Sequence, residues 1–150
     1  MDDAVLYAAY GSNLDPARML SRCAGAEAAA TGSLENWRLV LNLRASIVPE
    51  TGARTPVAIW RIPLSELPAL DAAEGYAEGR PEAMNTYARV SLPVAVAGNE
   101  RFICYTYVEA RHRPGPPDAA YVRHLRDGYA HFGFDAAALQ AALSPWRATG

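Results

Sequence analysis

Short stretches of continuous or alternating hydrophobicity, separated by turn residues, set the outline of this chain. Val5 to Tyr10 is an apolar and aromatic run ended by Gly11, the pattern of a buried strand entering a tight turn. Asp15-Pro16 follows, an N-cap with proline at the first helical position, which predicts a short helix to about Arg22. Trp37 to Leu43 and Val57 to Ile62 alternate well enough to be strands. Between them Pro49-Glu50-Thr51-Gly52 reads as a hairpin-like turn. Ser65 is placed to cap a helix over Glu66 to Ala73, with Gly75 as its stop. A loop rich in Gly, Pro, Glu and Asn runs from Gly75 to Asn85. Tyr87 to Val96 and Arg101 to Val108 flank Ala97-Gly98-Asn99-Glu100 as an antiparallel hairpin. After the break at Pro114 to Pro117, Asp118 to Phe132 is the longest predicted helix, closed by Gly133, and a last helix is expected from Asp135 to about Leu143.

Strands at short spacing with helices inserted irregularly predict an α+β fold with a mainly antiparallel sheet or small barrel. A doubly wound parallel sheet would need stricter alternation. No repeat and no linker divides the 150 residues, so 1–150 is expected to form one domain.

Composition narrows the function classes. Hydrophobic residues make up 51% and charged residues 20%, a balance that supports a packed core and argues against disorder. The net charge of −2 supplies no basic field for nucleic acid or an anionic membrane surface. All 14 basic residues are arginine, a bias from which no function is read. The N-terminus lacks a signal-peptide pattern, and no apolar run approaches the ~20 residues of a membrane span. Cys23 and Cys104 form no close pair, so two reduced thiols and a cytoplasmic location are expected. His112, His124 and His131 have no partners at metal-site spacing and are expected to be solvated or packed.

Two segments carry candidate chemistry. In Tyr10-Gly11-Ser12-Asn13-Leu14 a strand delivers the chain to a glycine that permits unusual dihedrals and close approach of a ligand to the backbone. Successive N–H groups at such a junction can converge on a carboxylate or a developing oxyanion. Taken alone the segment is also ordinary turn chemistry, and it lacks the spacing of a phosphate-binding loop. Glu74 closes Leu70-Asp71-Ala72-Ala73-Glu74-Gly75-Tyr76 at a helix C-terminus. There the negative end of the helix dipole would raise its pKa toward that of a general base, although a solvated helix-end acid fits the same pattern.

Together, Leu6-Tyr7-Ala8-Ala9-Tyr10-Gly11-Ser12-Asn13-Leu14 and the Leu70–Tyr76 segment resemble the opening signature and the LDxxEG segment of the γ-glutamylcyclotransferase-like superfamily. Tyr87-Ala88-Arg89-Val90, Cys104-Tyr105-Thr106-Tyr107-Val108 and Pro116-Pro117-Asp118-Ala119-Ala120-Tyr121 are similar to later family segments, in the family's order. The resemblance implies a small mixed barrel-like fold with flanking helices and no metal or organic cofactor. It implies a small-molecule γ-glutamyl substrate, no nucleic-acid or membrane partner, and a monomer or homodimer. Glu74 would be the catalytic residue. It would take a proton from the substrate's α-amine as that amine attacks its own γ-carbonyl, and return it to the leaving amine with release of 5-oxoproline.

The implied substrate-binding residues are Tyr7, Ala8, Ala9, Tyr10, Gly11, Ser12, Asn13, Leu14, Tyr107 and Tyr121. Tyr121 also falls on the helical spacing of Leu125, Gly128, Tyr129 and Phe132, so packing is an equal expectation for it. Substrate choice is expected to depend on the loops Asn42–Arg54 and Tyr76–Asn85. The alternatives are a non-catalytic binding or interaction module with the same fold, and a hydrolase, for which no second group to position water stands out.

Overall fold

The computed structural model describes residues 3–147. The chain opens with β1 (Ala4–Ala9), a 3-10 turn (Ser12–Leu14) and α1 (Pro16–Arg22). The Asp15 side chain accepts from the Ala17 N–H at 3.1 Å, and Pro16 occupies the first turn, as its sequence predicts. Two long strands, β2 (Glu27–Leu41) and β3 (Ala45–Pro63), lead through a 3-10 turn (Leu64–Glu66) into α2 (Leu67–Ala73). The expected Ser65 cap is not used. Ser65 lies inside the 3-10 turn, Glu66 precedes α2 and no side chain caps that helix. β4 (Tyr87–Val96) and β5 (Glu100–Glu109) form the expected hairpin across Ala97–Asn99. The helices α3 (Ala119–Phe132) and α4 (Ala137–Arg147) complete the chain.

The strands close into a barrel in the order β1-β3-β2-β4-β5. β1 pairs antiparallel with β3 and parallel with β5 through Tyr7↔Tyr105, and the other pairings are antiparallel. Closure buries β1 between two neighbours, which is why Ala8 and Ala9 are fully inaccessible. The expected α+β barrel with flanking helices is the fold observed. Among the described residues no helix is long and apolar enough to cross a membrane.

The β2–β3 hairpin departs most from expectation. Its turn is Asn42-Leu43-Arg44, with the Asn42 N–H donating to the Arg44 carbonyl at 3.0 Å. The Pro49–Gly52 segment lies inside β3. There Asn36 stands alone opposite residues 50–53, between the pairs Glu35↔Arg54 and Trp37↔Pro49. Asn36 adopts φ 68° and Gly52 φ 86°, and the Asn36 side chain accepts from the Gly52 N–H at 2.9 Å. Turn chemistry is thus present, but it makes a large bulge that bends one long hairpin rather than ending a strand.

The core is continuous from the barrel interior to the helices that cover it. α3 presents Leu125, Gly128 and Tyr129 at helical spacing, with Asp118 accepting from the Tyr121 N–H at 2.8 Å as its cap. At Gly128 the helix rests on the 3-10 turn after β1. A Cβ there would come within 2.3 Å of Leu14 Cβ and 2.7 Å of the Leu14 carbonyl carbon. Leu14 is fully buried beneath it, a side chain whose burial stabilises by roughly 2 kcal/mol. This contact fixes the height of the loop that carries Ser12 and Asn13.

Candidate active site

A cavity at one end of the barrel is lined by Tyr7, Tyr10, Gly11, Ser12 and Asn13 from β1 and its loop. Glu74 enters from the end of α2, Arg22 from the end of α1, Tyr87 and Tyr107 from β4 and β5, and Tyr121 from α3. Arg44 and Ala45, at the β2–β3 turn, close the remaining side.

Glu74 caps α2 with φ −91° and ψ 1°, and its N–H still bonds back to Leu70 and Asp71. Gly75 then turns the chain with φ 69°, where any Cβ would meet Thr86 Oγ1 at 2.7 Å. Backbone conformation and space therefore both require glycine here, and the turn points the preceding carboxylate inward. Its side chain is 14% exposed. Among the described residues Oε1 receives two long contacts, from Asn13 Nδ2 at 3.3 Å and Arg22 Nη1 at 3.4 Å. Burial raises the Glu74 pKa above the ordinary carboxylate range, while the neighbouring Arg22, Arg44 and Arg18 charges and the Asn13 contact pull it partly back. Desolvation, rather than the helix end, is thus the main cause of the expected rise.

Asn13 organises this corner. Its Nδ2 also donates to the Tyr7 hydroxyl at 3.1 Å, and its Oδ1 accepts from Arg22 Nη1 at 3.0 Å. One amide thereby holds a tyrosine, an arginine and the carboxylate in register. Ser12 Oγ accepts from Arg18 Nε at 2.9 Å. Arg18 in turn approaches His124 Nε2 at 3.4 Å, and His124 Nδ1 lies 2.7 Å from Asp15 Oδ2. His124 therefore ties α3 to the cap of α1, a packed role consistent with its expectation.

Gly11 has φ −112° and ψ −138°, neither helical nor extended, an unusual backbone conformation of the kind expected of it. Space is a second requirement. A Cβ would lie 3.3 Å from both the Tyr121 hydroxyl and Ala45 Cβ. The tyrosines are fixed in turn. Tyr10 donates to the Tyr107 carbonyl, Tyr87 to the Ala45 carbonyl at 2.6 Å, and Tyr121 accepts from the Ala45 N–H at 2.9 Å. Tyr107 packs edge-on against Tyr7 with centroids 5.7 Å apart, and its hydroxyl donates to Asp71 Oδ1 at 2.6 Å. Burial pushes the hydroxyls of Tyr7, Tyr10, Tyr87 and Tyr107 well above the ordinary tyrosine pKa and raises that of Tyr121, which keeps all five protonated and neutral.

Of the residues expected from sequence, Glu74, Tyr7, Tyr10, Gly11, Ser12, Asn13, Tyr107 and Tyr121 meet at this cavity. Ala8, Ala9 and Leu14 do not line it. They are fully buried behind it, where the Ala8 carbonyl accepts from Thr106 Oγ1 and Leu14 supports α3. Sequence reasoning missed the roles of Arg22, Arg44 and Ala45 and gave no site role to Tyr87, although Tyr87 opens a recognised strand. Asp71, in the same motif as Glu74, pairs with Arg89, whose guanidinium lies 4.7 Å from the Tyr105 ring centroid and 5.2 Å from that of Tyr76.

The same architecture occurs in solved structures. A γ-glutamyl cyclotransferase superposes with TM-score 0.78 at 22% identity, covering 87% of this chain and 81% of its own. An uncharacterized protein from Homo sapiens gives TM-score 0.81 at 24% identity, covering 95% of this chain and 88% of its own. A γ-glutamyl cyclotransferase specific to glutathione from yeast gives 0.62 at 11% identity, with 95% of each chain covered. At such identities these likenesses speak for the fold alone. No curated protein matches the chain. At the sequence level, residues 7–125 match the family model for γ-glutamyl cyclotransferase, AIG2-like proteins, a span holding Glu74 and its loop, and the chain belongs to that family.

Proposed function

We propose that the protein is a γ-glutamylcyclotransferase-type enzyme that releases 5-oxoproline from a γ-glutamyl amino acid, peptide or amine. The observation that carries this reading is one buried carboxylate, Glu74, held by long contacts in a cavity otherwise lined by neutral hydroxyls, one amide and arginines. A carboxylate so placed is available to exchange a proton.

The substrate's α-amine reaches Glu74 in its neutral form. As its nitrogen closes on the γ-carbonyl carbon, Glu74 takes the proton which that nitrogen sheds. The C–N bond to the leaving amine then breaks and Glu74 passes the proton to the departing nitrogen. The five-membered lactam is complete and the carboxylate is as it began. Nucleophile and electrophile belong to one molecule, so orientation supplies much of the rate. A pKa raised toward neutrality suits a group that acts first as base and then as acid. The backbone amides of the Gly11–Ser12 segment hold the glutamyl carboxylate or the oxyanion, and the protonated tyrosines complete the polar wall. A reducing, cytoplasmic setting accords with the free thiols of Cys23 and Cys104.

The test is a panel of γ-glutamyl compounds read by mass spectrometry for 5-oxoproline. Turnover of at least one member, lost in Glu74→Gln, is the expected result. If no member yields 5-oxoproline, a non-catalytic binding module takes the place of this reading; if Glu74→Gln keeps full activity, the role of Glu74 is wrong.

A further inference from the structure

We propose that His124 is a positioning residue for the active site: with Asp15 it sets the Arg18 guanidinium so that the Ser12 side chain presents an O–H donor toward an anion in the cavity. The anion is the substrate's glutamyl carboxylate, and to that extent the inference rests on the proposed cyclotransferase reading.

The chemistry of the three partners permits one arrangement. A guanidinium donates hydrogen bonds and never accepts them. The 3.4 Å contact from Arg18 Nη1 is therefore a hydrogen bond only where His124 Nε2 offers a lone pair. The other ring nitrogen, Nδ1, lies 2.7 Å from Asp15 Oδ2, and an ionised carboxylate only accepts. The tautomer that satisfies both neighbours carries its hydrogen on Nδ1. Asp15 is itself held, because its Oδ1 takes the Ala17 N–H as the cap of α1.

Arg18 carries this constraint to the cavity wall. With Nη1 directed to His124, its Nε–H donates to Ser12 Oγ at 2.9 Å. A hydroxyl that accepts from a cation turns its own hydrogen away from that cation. Ser12 is buried, lines the cavity and is a side-chain hydrogen-bond partner of Tyr121. The Tyr121 hydroxyl already accepts from the Ala45 N–H at 2.9 Å, so a second hydrogen taken from Ser12 leaves it to donate outward. Whether Ser12 donates to the ligand directly or through Tyr121, the run of donors starts at a cation and ends at the cavity.

Support of the backbone is a separate matter. The contact of Gly128 with Leu14 already sets the height of the loop. Arg18 and His124 stand behind the wall, in an outer hollow that they share with Tyr121. What they add is the orientation of a side chain, and that separates a positioning role from a structural one.

The experiment measures KM and kcat for the best γ-glutamyl substrate of the panel. His124→Phe keeps a ring on α3 but removes both nitrogens. It should raise KM about 10-fold with kcat within about threefold of wild type, as for loss of one charge-assisted hydrogen bond to a group charged before reaction. His124→Gln, whose amide offers one acceptor and one donor, should restore most of that loss. Asp15→Asn still caps α1 but offers an N–H to Nδ1, which drives the ring hydrogen to Nε2 against Arg18, and it should match His124→Phe. Ser12→Ala should raise KM at least as much, and adding His124→Phe to it should change KM no further. Circular dichroism and the thermal midpoint are the folding controls, and Asp15→Asn carries the test if His124→Phe does not fold. An unchanged KM in Asp15→Asn, a loss confined to kcat, equal losses in His124→Phe and His124→Gln, or effects of His124→Phe and Ser12→Ala that multiply overturn the assignment and leave the cyclotransferase reading intact. No 5-oxoproline from any member of the panel overturns both.

Discussion

Asp71 and Glu74 lie three residues apart at the same buried end of α2, and the structure treats them in opposite ways. Asp71 is saturated. One oxygen accepts from the Tyr107 hydroxyl, and the other pairs with an Arg89 that is only 10% exposed and packed against the Tyr76 and Tyr105 rings. Glu74 has two contacts beyond 3.2 Å, both to the same oxygen, and faces the cavity. A carboxylate with several short, charged bonds serves as a strut, since moving its proton would break what it holds. One that is buried but loosely held can change protonation with little rearrangement. The comparison teaches that partner saturation, more than burial, separates an acid held as a strut from one left able to exchange a proton.

The largest expected effect is on Glu74. Glu74→Gln should lower kcat by about three orders of magnitude, within the range for removal of general acid–base catalysis, while the thermal midpoint at neutral pH holds or rises. A large fall in the midpoint would make Glu74 a strut like its neighbour. Asp71→Asn should show the reverse pattern. Leaving Arg89 with only the exposed Glu78, 3.7 Å away, as a charged partner is expected to cost about 3 kcal/mol in urea unfolding, with activity following the loss of Tyr107 anchoring. Full stability in that variant would break the distinction.

Gly128→Ala asks whether the loose grip on Glu74 depends on loop height. The added methyl meets Leu14 at a distance no Cβ tolerates, so stability should fall by roughly 1–3 kcal/mol and activity should drop as Asn13 shifts. The smallest effect is on pH dependence. Because the folded pKa of Glu74 lies above its ordinary value of 4.5, the native state binds more protons than the unfolded state between those two values. Stability therefore falls as pH rises through that window, and the full cost of the buried charge persists above it. Comparing thermal midpoints from pH 4 upward, Glu74→Gln should gain on the wild type through the window and hold its advantage beyond. The rate should rise over the same window as Glu74 ionises, with an apparent pKa above the ordinary carboxylate range.

Much of this arrangement is legible in the chain before any coordinates. The Asp15-Pro16 cap, the β4–β5 hairpin and α3 between Asp118 and Gly133 carry strong local signals and fold where those signals point. β2 is different. Its Glu27–Ser33 half is Ala-rich and lacks alternation, and the residues that spell a turn at Pro49–Gly52 make a bulge. The actual reversal, Asn42-Leu43-Arg44, has neither glycine nor proline to announce it. The site divides in the same manner. Glu74 and the Tyr10–Asn13 loop sit in short motifs that can be read locally, whereas Arg22, Arg44 and Tyr87 reach the cavity only because the barrel closes and brings distant elements together. Ala8, Ala9 and Leu14 belong to the recognisable motif yet support the wall from behind, since a motif preserves a shape as well as the groups that touch a ligand.

The bare contact between Gly128 and Leu14 has a consequence for how the cavity opens. Loops at binding sites are commonly among the least protected parts of a fold. This one is wedged under a helix whose own position is set by Leu125 and Tyr129. Its amides at Leu14 and Asp15, bonded to Gly11 and Ser12, should exchange with solvent only when α3 itself detaches. The loop side of the cavity is thereby a fixed template, and the cavity does not open by movement of this loop alone.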